Sequence, residues 1–367
     1  MSKETKLAVK QYRLAVAGVA ATGVFALSAC GAAPDEDDSD SDGGNNADAS
    51  FLACMITDSG GVDDKSFNES SWQGMLDAAE ENSDIEVEYK ESSADTDYDP
   101  NLRSAVDDGC DFIVGVGGLM TENVNTVAGE NPDIPFATVD GFSEVENVYS
   151  IQFDTAQSAF LAGYVAAAQT ESGTVATWGG MKIPPVTIFM DGFAEGIAYH
   201  NEAKGTDVEL LGWDEEAQDG TFLNDFEDTA GGKSTSETFI SQGADIIFPV
   251  AGPAGIGALT AASEADGVNA IWVDTDGYES TEFGDVLITS AEKGLAAAVT
   301  DSVLAAYDGD VTGSYVGTLA NDGVGIAPYH DFEDAVSDET KTEVEDLKQA
   351  IIDGEVTVES PASPAAE

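Results

Sequence analysis

The sequence predicts an α/β protein whose strands form parallel sheets in two similar lobes. Short apolar runs alternate with helical patterns, and this alternation runs through one set of strands and then repeats. At 367 residues the chain is long enough for two ordinary domains. The predicted strands are 51–56, 85–89, 112–116, 135–139, 148–153, 174–178, 208–213, 246–250, 270–273 and 286–288.

The first strand leads into the stretch around which the chain is organised, TDSGGVDDKSFNESSWQGM at 57–75. Helical spacing begins near Ser66, so a loop joins strand to helix and carries Asp58, a pair of glycines, Phe67 and Asn68. In an open α/β sheet, ligands lie at the carboxyl ends of strands, where such loops meet. A carboxylate, an aromatic ring and an amide together suit a ligand that combines a flat ring, polar edges and hydroxyls.

A local interpretation of the same stretch is a solvated loop that caps a helix. Ser66 and Glu69 have the spacing of a capping box, and we expect them to form one. Capping does not account for Phe67 at the edge between loop and helix, nor for the double glycine beside Asp58.

Both ends of the chain differ from the region between them. In residues 1–30, basic side chains precede the apolar run 14–27 and the ending LSAC at Cys30, which is the layout of an exported protein. The ending resembles a bacterial lipobox and implies lipidation of Cys30; a transmembrane anchor is the alternative, but the run is short for spanning. We expect residues 31–50 to be an acidic, disordered tether and residues 356–367 a disordered tail rich in Pro and Ala.

The chain is strongly acidic. It has 71 Asp and Glu against 13 Lys and Arg, a net charge of −58. Such a surface repels phosphates, which excludes nucleic acids and anionic lipid surfaces as partners. Because the acids are dispersed, we expect a protein adapted to high salt, where self-repulsion is screened.

Two cysteines remain if Cys30 is lipidated. Cys54 and Cys110 each lie beside a predicted strand of the first lobe, and the compartment outside the membrane permits oxidation. We expect a disulfide, with two buried thiols as the open alternative.

Several stretches together resemble one family, the basic membrane protein family of substrate-binding lipoproteins, of the purine nucleoside receptor type. The resemblance covers nearly all of residues 51–295, although this chain is acidic rather than basic. The matching stretches are TDSGGVDDKSFNESSWQGM, GCDFIVGVG, ATVDG, IPPVTIFMDGFAEGI, GADIIFPVAGPAGIG, WVDTDG and ITSAEKG.

The resemblance implies a type I periplasmic-binding fold, in which two doubly wound lobes joined by three crossovers close over a ligand. The lobes would be 51–153 with about 290–313, and 154–289 with about 314–355. The resemblance also implies a monomeric component of an ABC importer, held at the extracytoplasmic face of the cell membrane through Cys30. Such a protein delivers purine nucleosides to permease subunits and needs no cofactor or metal.

The resemblance further implies roles at the base end of the ligand. Phe67 and Phe189 would stack on opposite faces of a purine, while Asn68 and Asp140 would meet its polar edge. Two alternatives stay open. Phe189 could be a core residue that packs with Phe193, four residues later on the same helix face, and Asp140 could form an Asx turn.

At the ribose end, the resemblance implies that Asp58 and Asp274 accept from hydroxyls and that a backbone N–H near Gly252 donates. Lys293 would complete this end and balance the carboxylates. Asp276, two residues beyond Asp274, could share the role or be unrelated to it. The loop after Gly252 departs from the family pattern because it contains Pro and Ala.

No catalytic apparatus is expected. His200 and His330 have neither zinc-site spacing nor a neighbouring nucleophile motif, and there is no P-loop or dinucleotide fingerprint. Other functions remain open: a sugar or autoinducer receptor of the same fold, a nucleoside sensor without transport, and a nucleoside hydrolase, since those enzymes also use clustered aspartates.

Overall fold

The computed structural model of the protein describes residues 51–365; the expected export segment, Cys30 and the tether lie outside the described residues. The strands are β1 Phe51–Ile56, β2 Ile85–Lys90, β3 Phe112–Val116, β4 Phe136–Val139, β5 Val148–Phe153, β6 Thr174–Gly179, β7 Glu209–Leu211, β8 Trp213–Asp214, β9 Asp219–Gly220, β10 Ile246–Val250, β11 Asn269–Asp274, β12 Leu287–Lys293, β13 Ser314–Gly317 and β14 Val324–Ile326. The helices are α1 Phe67–Glu81, α2 Tyr98–Asp108, α3 Thr121–Glu130, α4 Thr155–Gln169, α5 Pro184–Lys204, α6 Thr229–Ser241, α7 Ile256–Glu264, α8 Gly277–Ser280, α9 Leu295–Asp308 and α10 Asp338–Ile352.

The strands form two six-stranded sheets, one in each lobe. Lobe 1 has the order β13-β5-β4-β3-β1-β2, with every pair parallel. Lobe 2 has the order β14-β12-β11-β10-β6-β7, parallel except for the pair of β12 and β14. The predicted α/β class with doubly wound parallel sheets is confirmed. In each lobe the strand order reverses beside the first strand, and crevices open at that point of a doubly wound sheet.

The chain crosses between the lobes three times, after β5, after β12 and after β13. The predicted boundaries differ from the structure in the last third of the chain. Ser314–Gly317, expected in lobe 2, pairs with β5 of lobe 1, while β12 pairs with β11 of lobe 2 as far as Glu292. The short, polar run SYVG carries too weak a strand signal to be assigned to a sheet from sequence.

Continuous apolar strands place the core on both faces of each sheet. In β3 (FIVGV) and β10 (IIFPV) every residue is buried, as expected of parallel strands covered by helices on both sides. In lobe 2, α4 and α5 pack at backbone distance: a Cβ on Gly192 would lie 2.1 Å from the carbonyl oxygen of Ala156, so only glycine permits this approach.

Cys54 of β1 and Cys110, just before β3, are joined by a disulfide with a Cα–Cα distance of 6.0 Å. Because β1 and β3 are adjacent parallel strands, the residue just before β3 lies close enough to Cys54 of β1 to be bridged. The bridge closes a loop across 56 residues of sequence, which stabilises the fold by restricting the unfolded chain.

The expectation of a disordered tail at 356–367 is wrong for the described part, because residues 356–365 lie against the body of the protein. Pro and Ala composition suggested disorder, but two serines and one backbone N–H of this segment donate to carboxylates in the body of the protein. The bonds run from Glu359 N to Glu195 Oε2 (2.9 Å), from Ser360 Oγ to Asp191 Oδ2 (2.6 Å) and from Ser363 Oγ to Asp154 Oδ1 (2.9 Å).

Within residues 51–365, no helix has the length and apolar character needed to cross a membrane.

Candidate ligand-binding site

A cavity lies between the two lobes, at the carboxyl ends of their strands. Lobe 1 lines it with Asp58, Ser59, Asp64, Phe67, Gly117, Gly118 and Asp140. Lobe 2 lines it with Ile183, Pro185, Val186, Phe189, Phe226, Val250, Ala251, Gly252, Pro253, Val273, Asp274 and Lys293.

The structure therefore brings seven of the eight predicted ligand-binding residues to one cavity. The eighth, Asn68, lies behind the wall: its Nδ2 donates to Asp58 Oδ1 at 2.9 Å and to the Ser59 carbonyl at 3.4 Å. The Oδ1 atom of Asn68 is buried and has no hydrogen-bond partner. Its place is thus beside Asp58, which it orients.

The loop between β1 and α1 is fixed by Asp64 rather than by the expected capping box. The Asp64 carboxylate accepts from the backbone N–H groups of Ser66, Asn68 and Glu69 at 2.8 to 3.1 Å. Burial raises the pKa of Asp64 to about 6, although these three bonds oppose the shift. The Ser66 side chain makes no cap, so the predicted role of Ser66 is wrong. The sequence DDKS offers several cap formers in a row, and only the loop geometry selects among them.

Two aromatic rings from different lobes converge on one ammonium group. The Lys293 Nζ lies 4.9 Å from the centroid of the Phe67 ring and 5.1 Å from that of Phe189. Phe193 stacks instead on Phe248 in the core, with centroids 4.6 Å apart, and does not line the cavity. A third ring that sequence reasoning missed, Phe226, also lines the cavity. It lies in a polar loop between β9 and α6, where no local pattern distinguishes it.

Lys293 forms the ionic centre of the cavity. Its Nζ lies 2.6 Å from Asp140 Oδ2 of lobe 1 and 3.3 Å from Asp274 Oδ1 of lobe 2, and all three side chains are less than a tenth exposed. Burial acts to lower the pKa of Lys293, but the two carboxylates outweigh it and the pKa is raised. Asp140 (φ 60°) and Asp274 (φ 70°) both adopt the left-handed backbone conformation, a strain that clusters at functional sites.

Asp58 stands apart from this ionic centre and has no cation partner in the described part of the chain. Burial raises its pKa to about 8; the bond from Asn68 opposes the shift, while Asp64, Asp140 and Asp274 add to it. The carboxylate packs against the backbone of Gly117 so closely that a Cβ there would lie 2.3 Å from Asp58 Oδ2. Asp58 is therefore held in place and largely protonated at neutral pH, so that it can donate as well as accept.

The loop whose sequence departs from the family pattern still reaches the cavity. Gly252 lines it with a left-handed backbone (φ 51°). Pro253 packs across the cleft toward Gly60 of lobe 1, whose Cβ would lie 3.2 Å from the proline ring. The proline thus makes a contact between the lobes.

Asp276 does not line the cavity. Its Oδ2 lies 2.6 Å from His330 Nε2, and its Oδ1 accepts from the backbone N–H of Tyr278 at the start of α8. Asp276 therefore has a structural role, which separates it from Asp274. Within residues 51–365, no group of three or more His, Cys, Asp or Glu side chains is arranged to hold a metal ion.

Two doubly wound lobes, three crossovers and a cavity between the lobes with aromatic rings and charged groups in its walls are the features of a solute-binding protein. The family described as Bmp, ABC transporter substrate-binding protein PnrA-like, matches residues 51–361, and the chain belongs to this family. The resemblance seen in the sequence is thereby confirmed. Proteins of this family serve ABC transporters as their substrate-binding component.

Known relatives cover almost the whole chain. The chain is 31% identical over 373 residues to the CD4+ T-cell-stimulating antigen of Listeria innocua, covering 95% of this chain and 98% of the relative. It is 29% identical over 372 residues to the ABC transporter nucleoside-binding protein BmpA of Lactococcus lactis subsp. cremoris, covering 96% and 100%. A crystal structure of an ABC transporter solute-binding protein from Aeropyrum pernix matches with a TM-score of 0.75 at 27% identity, covering 84% of this chain and 92% of that one.

Proposed function

We propose that this protein captures purine nucleosides at the outer face of a cell membrane for an ABC importer. The observation that carries the proposal is the convergence of Phe67 and Phe189, from opposite lobes, on one cavity that also holds Asp58, Asp274 and Lys293. The Lactococcus lactis relative, whose name states nucleoside binding, supports the same class of ligand.

The base would lie between the two rings. Stacking on an aromatic side chain contributes about 1–3 kcal/mol per base and tolerates different bases. Asp140 would address the polar edge of the base, whereas Asn68 would orient Asp58 from behind the cavity wall. Asp140 already accepts from Lys293, so one of its oxygens remains for a ring N–H or amino group of the base.

The ribose would lie toward the carboxylates. Asp58 and Asp274 would accept from its hydroxyls, Lys293 would donate, and the backbone near Gly252 would complete this end. The carboxylates of Asp64, Asp140 and Asp274 outnumber the single ammonium group of the cavity lining, so a nucleotide phosphate would be repelled and an uncharged nucleoside favoured. Binding would bridge the lobes and favour their closed arrangement through differential contact, after which the protein would dock on its permease.

Isothermal titration calorimetry of the full-length protein tests the proposal. We expect 1:1 binding of inosine, guanosine and adenosine, weaker binding of cytidine and little binding of ribose. Phe67→Ala should weaken inosine about 5- to 150-fold through loss of one stacked face. Phe142→Ala is the matched control, since that ring is 60% exposed and does not line the cavity.

The other functions are distinguished by the same samples. Tight binding of ribose or another sugar, with no effect of Phe67→Ala, would replace nucleoside capture by sugar or autoinducer reception. Release of free hypoxanthine from inosine at a useful rate would reveal a hydrolase. A nucleoside uptake assay in cells that lack the protein separates transport from sensing, because a sensor would leave uptake unchanged.

A further inference from the structure

Ser66 makes a bond that its position in the sequence does not suggest. A serine at the start of a helix normally accepts from the helix's own N–H groups. Here Asp64 accepts from those groups, and the Ser66 hydroxyl instead reaches across the cleft. The Ser66 hydroxyl donates to Asp274 Oδ2 at 2.7 Å, and the Val273 carbonyl oxygen lies 3.5 Å from Ser66 Oγ.

This contact joins the two lobes inside the protein. Ser66 belongs to lobe 1 and is fully buried, whereas Asp274 ends β11 of lobe 2 and is 7% exposed. A hydrogen bond to a buried carboxylate is worth more than one between neutral groups. Because its donor and acceptor belong to different lobes, the bond forms only when the lobes approach.

A second hydrogen bond crosses the cleft, with its donor in lobe 2 and its acceptor in lobe 1. Lys293 of lobe 2 donates to Asp140 Oδ2 of lobe 1 at 2.6 Å, and its Nζ also lies 3.3 Å from Asp274 Oδ1. Asp274 is therefore held by Ser66 on one carboxylate oxygen and by Lys293 on the other. These two partners fix the rotation of the carboxylate and offset the strain of its left-handed backbone.

We propose that Ser66 is a positioning residue that latches the lobes together through Asp274 and aims that carboxylate at the hydroxyls of the ligand. The choice of ligand rests on the proposed function. The hydrogen bond between Ser66 and Asp274, which we call the latch, does not depend on it. Ser66 need not touch the ligand: it acts on closure and on the direction of the remaining lone pairs of Asp274.

The test uses Ser66→Ala in the full-length protein, with Ser302→Ala as the matched control. Ser302 is also a buried serine of lobe 1, but its hydroxyl donates to Val299 within its own helix. Small-angle X-ray scattering without ligand should show a larger radius of gyration for Ser66→Ala than for wild type or the control. Saturating inosine should restore the compact state.

Calorimetry then measures the positioning role. Inosine should bind Ser66→Ala about tenfold more weakly. The preference for inosine over 2′,3′-dideoxyinosine should shrink by several-fold, because a carboxylate free to rotate discriminates hydroxyls less well. A general loss of packing would weaken both ligands alike. In a double-mutant cycle, Ser66→Ala and Asp274→Asn should be less than additive.

If Ser66→Ala does not fold, Ser66→Cys fills the site with a slightly larger side chain whose thiol is only a weak donor, and the same results are expected from it. Unchanged scattering together with unchanged inosine affinity and selectivity would overturn the latch while leaving nucleoside capture intact. A scattering difference in a protein that binds no nucleoside would retain the latch and reject the proposed function.

Discussion

Replacing Lys293 by methionine removes the ammonium group on which the cavity is built while keeping an unbranched side chain of similar length. The variant leaves Asp140 and Asp274 as buried carboxylates without their cation. We expect weaker ligand binding at neutral and alkaline pH, because the two lobes must then bring like charges together as they close.

The magnitude follows from the geometry. At the 2.6 Å separation of Lys293 and Asp140, the gross attraction is about 6 kcal/mol at an effective dielectric constant of ~20. Desolvation cancels much of it, and breaking a buried pair costs about 3–5 kcal/mol. Of the two ion pairs that Lys293 forms, only the pair with Asp140 crosses the cleft. Roughly half of the cost, about 2 kcal/mol, should therefore appear in binding, as a thirtyfold loss of affinity.

Calorimetric titration with inosine at pH 5 and pH 8 measures the effect. The deficit should shrink at pH 5, because a carboxylate without its cation takes up a proton more readily and the repulsion falls. Lys233→Met is the control: it removes a partly exposed lysine paired with the exposed Glu264, and surface pairs contribute little. If Lys293→Met bound inosine within threefold of wild type at both pH values, Lys293 would have no part in closure or binding.

Three further perturbations test other parts of the structure. Burial raises the pKa of Asp58 from 3.8 to about 8 on folding, so the stabilising contribution of this carboxyl is complete below about pH 4 and is lost as the pH rises through 8. In urea unfolding, Asp58→Asn should therefore gain stability over wild type progressively from pH 4 to 8; a constant difference would show that the carboxyl is not perturbed. Deleting 356–367 removes the Ser360 donor from the fully buried Asp191 and should lower the free energy of unfolding by about 2–4 kcal/mol in the same assay; an unchanged midpoint would mean that the tail contributes nothing. Replacing both Cys54 and Cys110 by serine should cost about 2–4 kcal/mol yet leave inosine affinity within twofold, whereas a large affinity loss would couple the bridge to the site.

The sequence predicted the first strands well because buried parallel strands are short, continuous apolar runs between turn formers. β3 and β10 are such runs, and every predicted strand run overlaps an observed strand. β13 and β14 were missed because SYVG and VGI are too short and too mixed to signal a strand. β13 and β14 become strands because they pair with β5 and β12 at the edges of the two sheets.

The candidate site was predicted mainly through the resemblance, and the structure adds what spacing cannot show. Seven predicted residues share one cavity although they come from segments far apart in the chain. The contact of Ser66 with Asp274 spans 208 residues of sequence, so no local pattern indicates it. Phe226 was missed for a related reason: only the fold of its loop brings the ring to the cavity.

A crystal structure of the full-length protein grown with inosine tests the central claim most directly. We expect the hypoxanthine ring between Phe67 and Phe189, with the ribose hydroxyls at Asp58 and Asp274 and within reach of Lys293. A nucleoside bound with its base outside the two rings, or bound at another surface, would contradict the account.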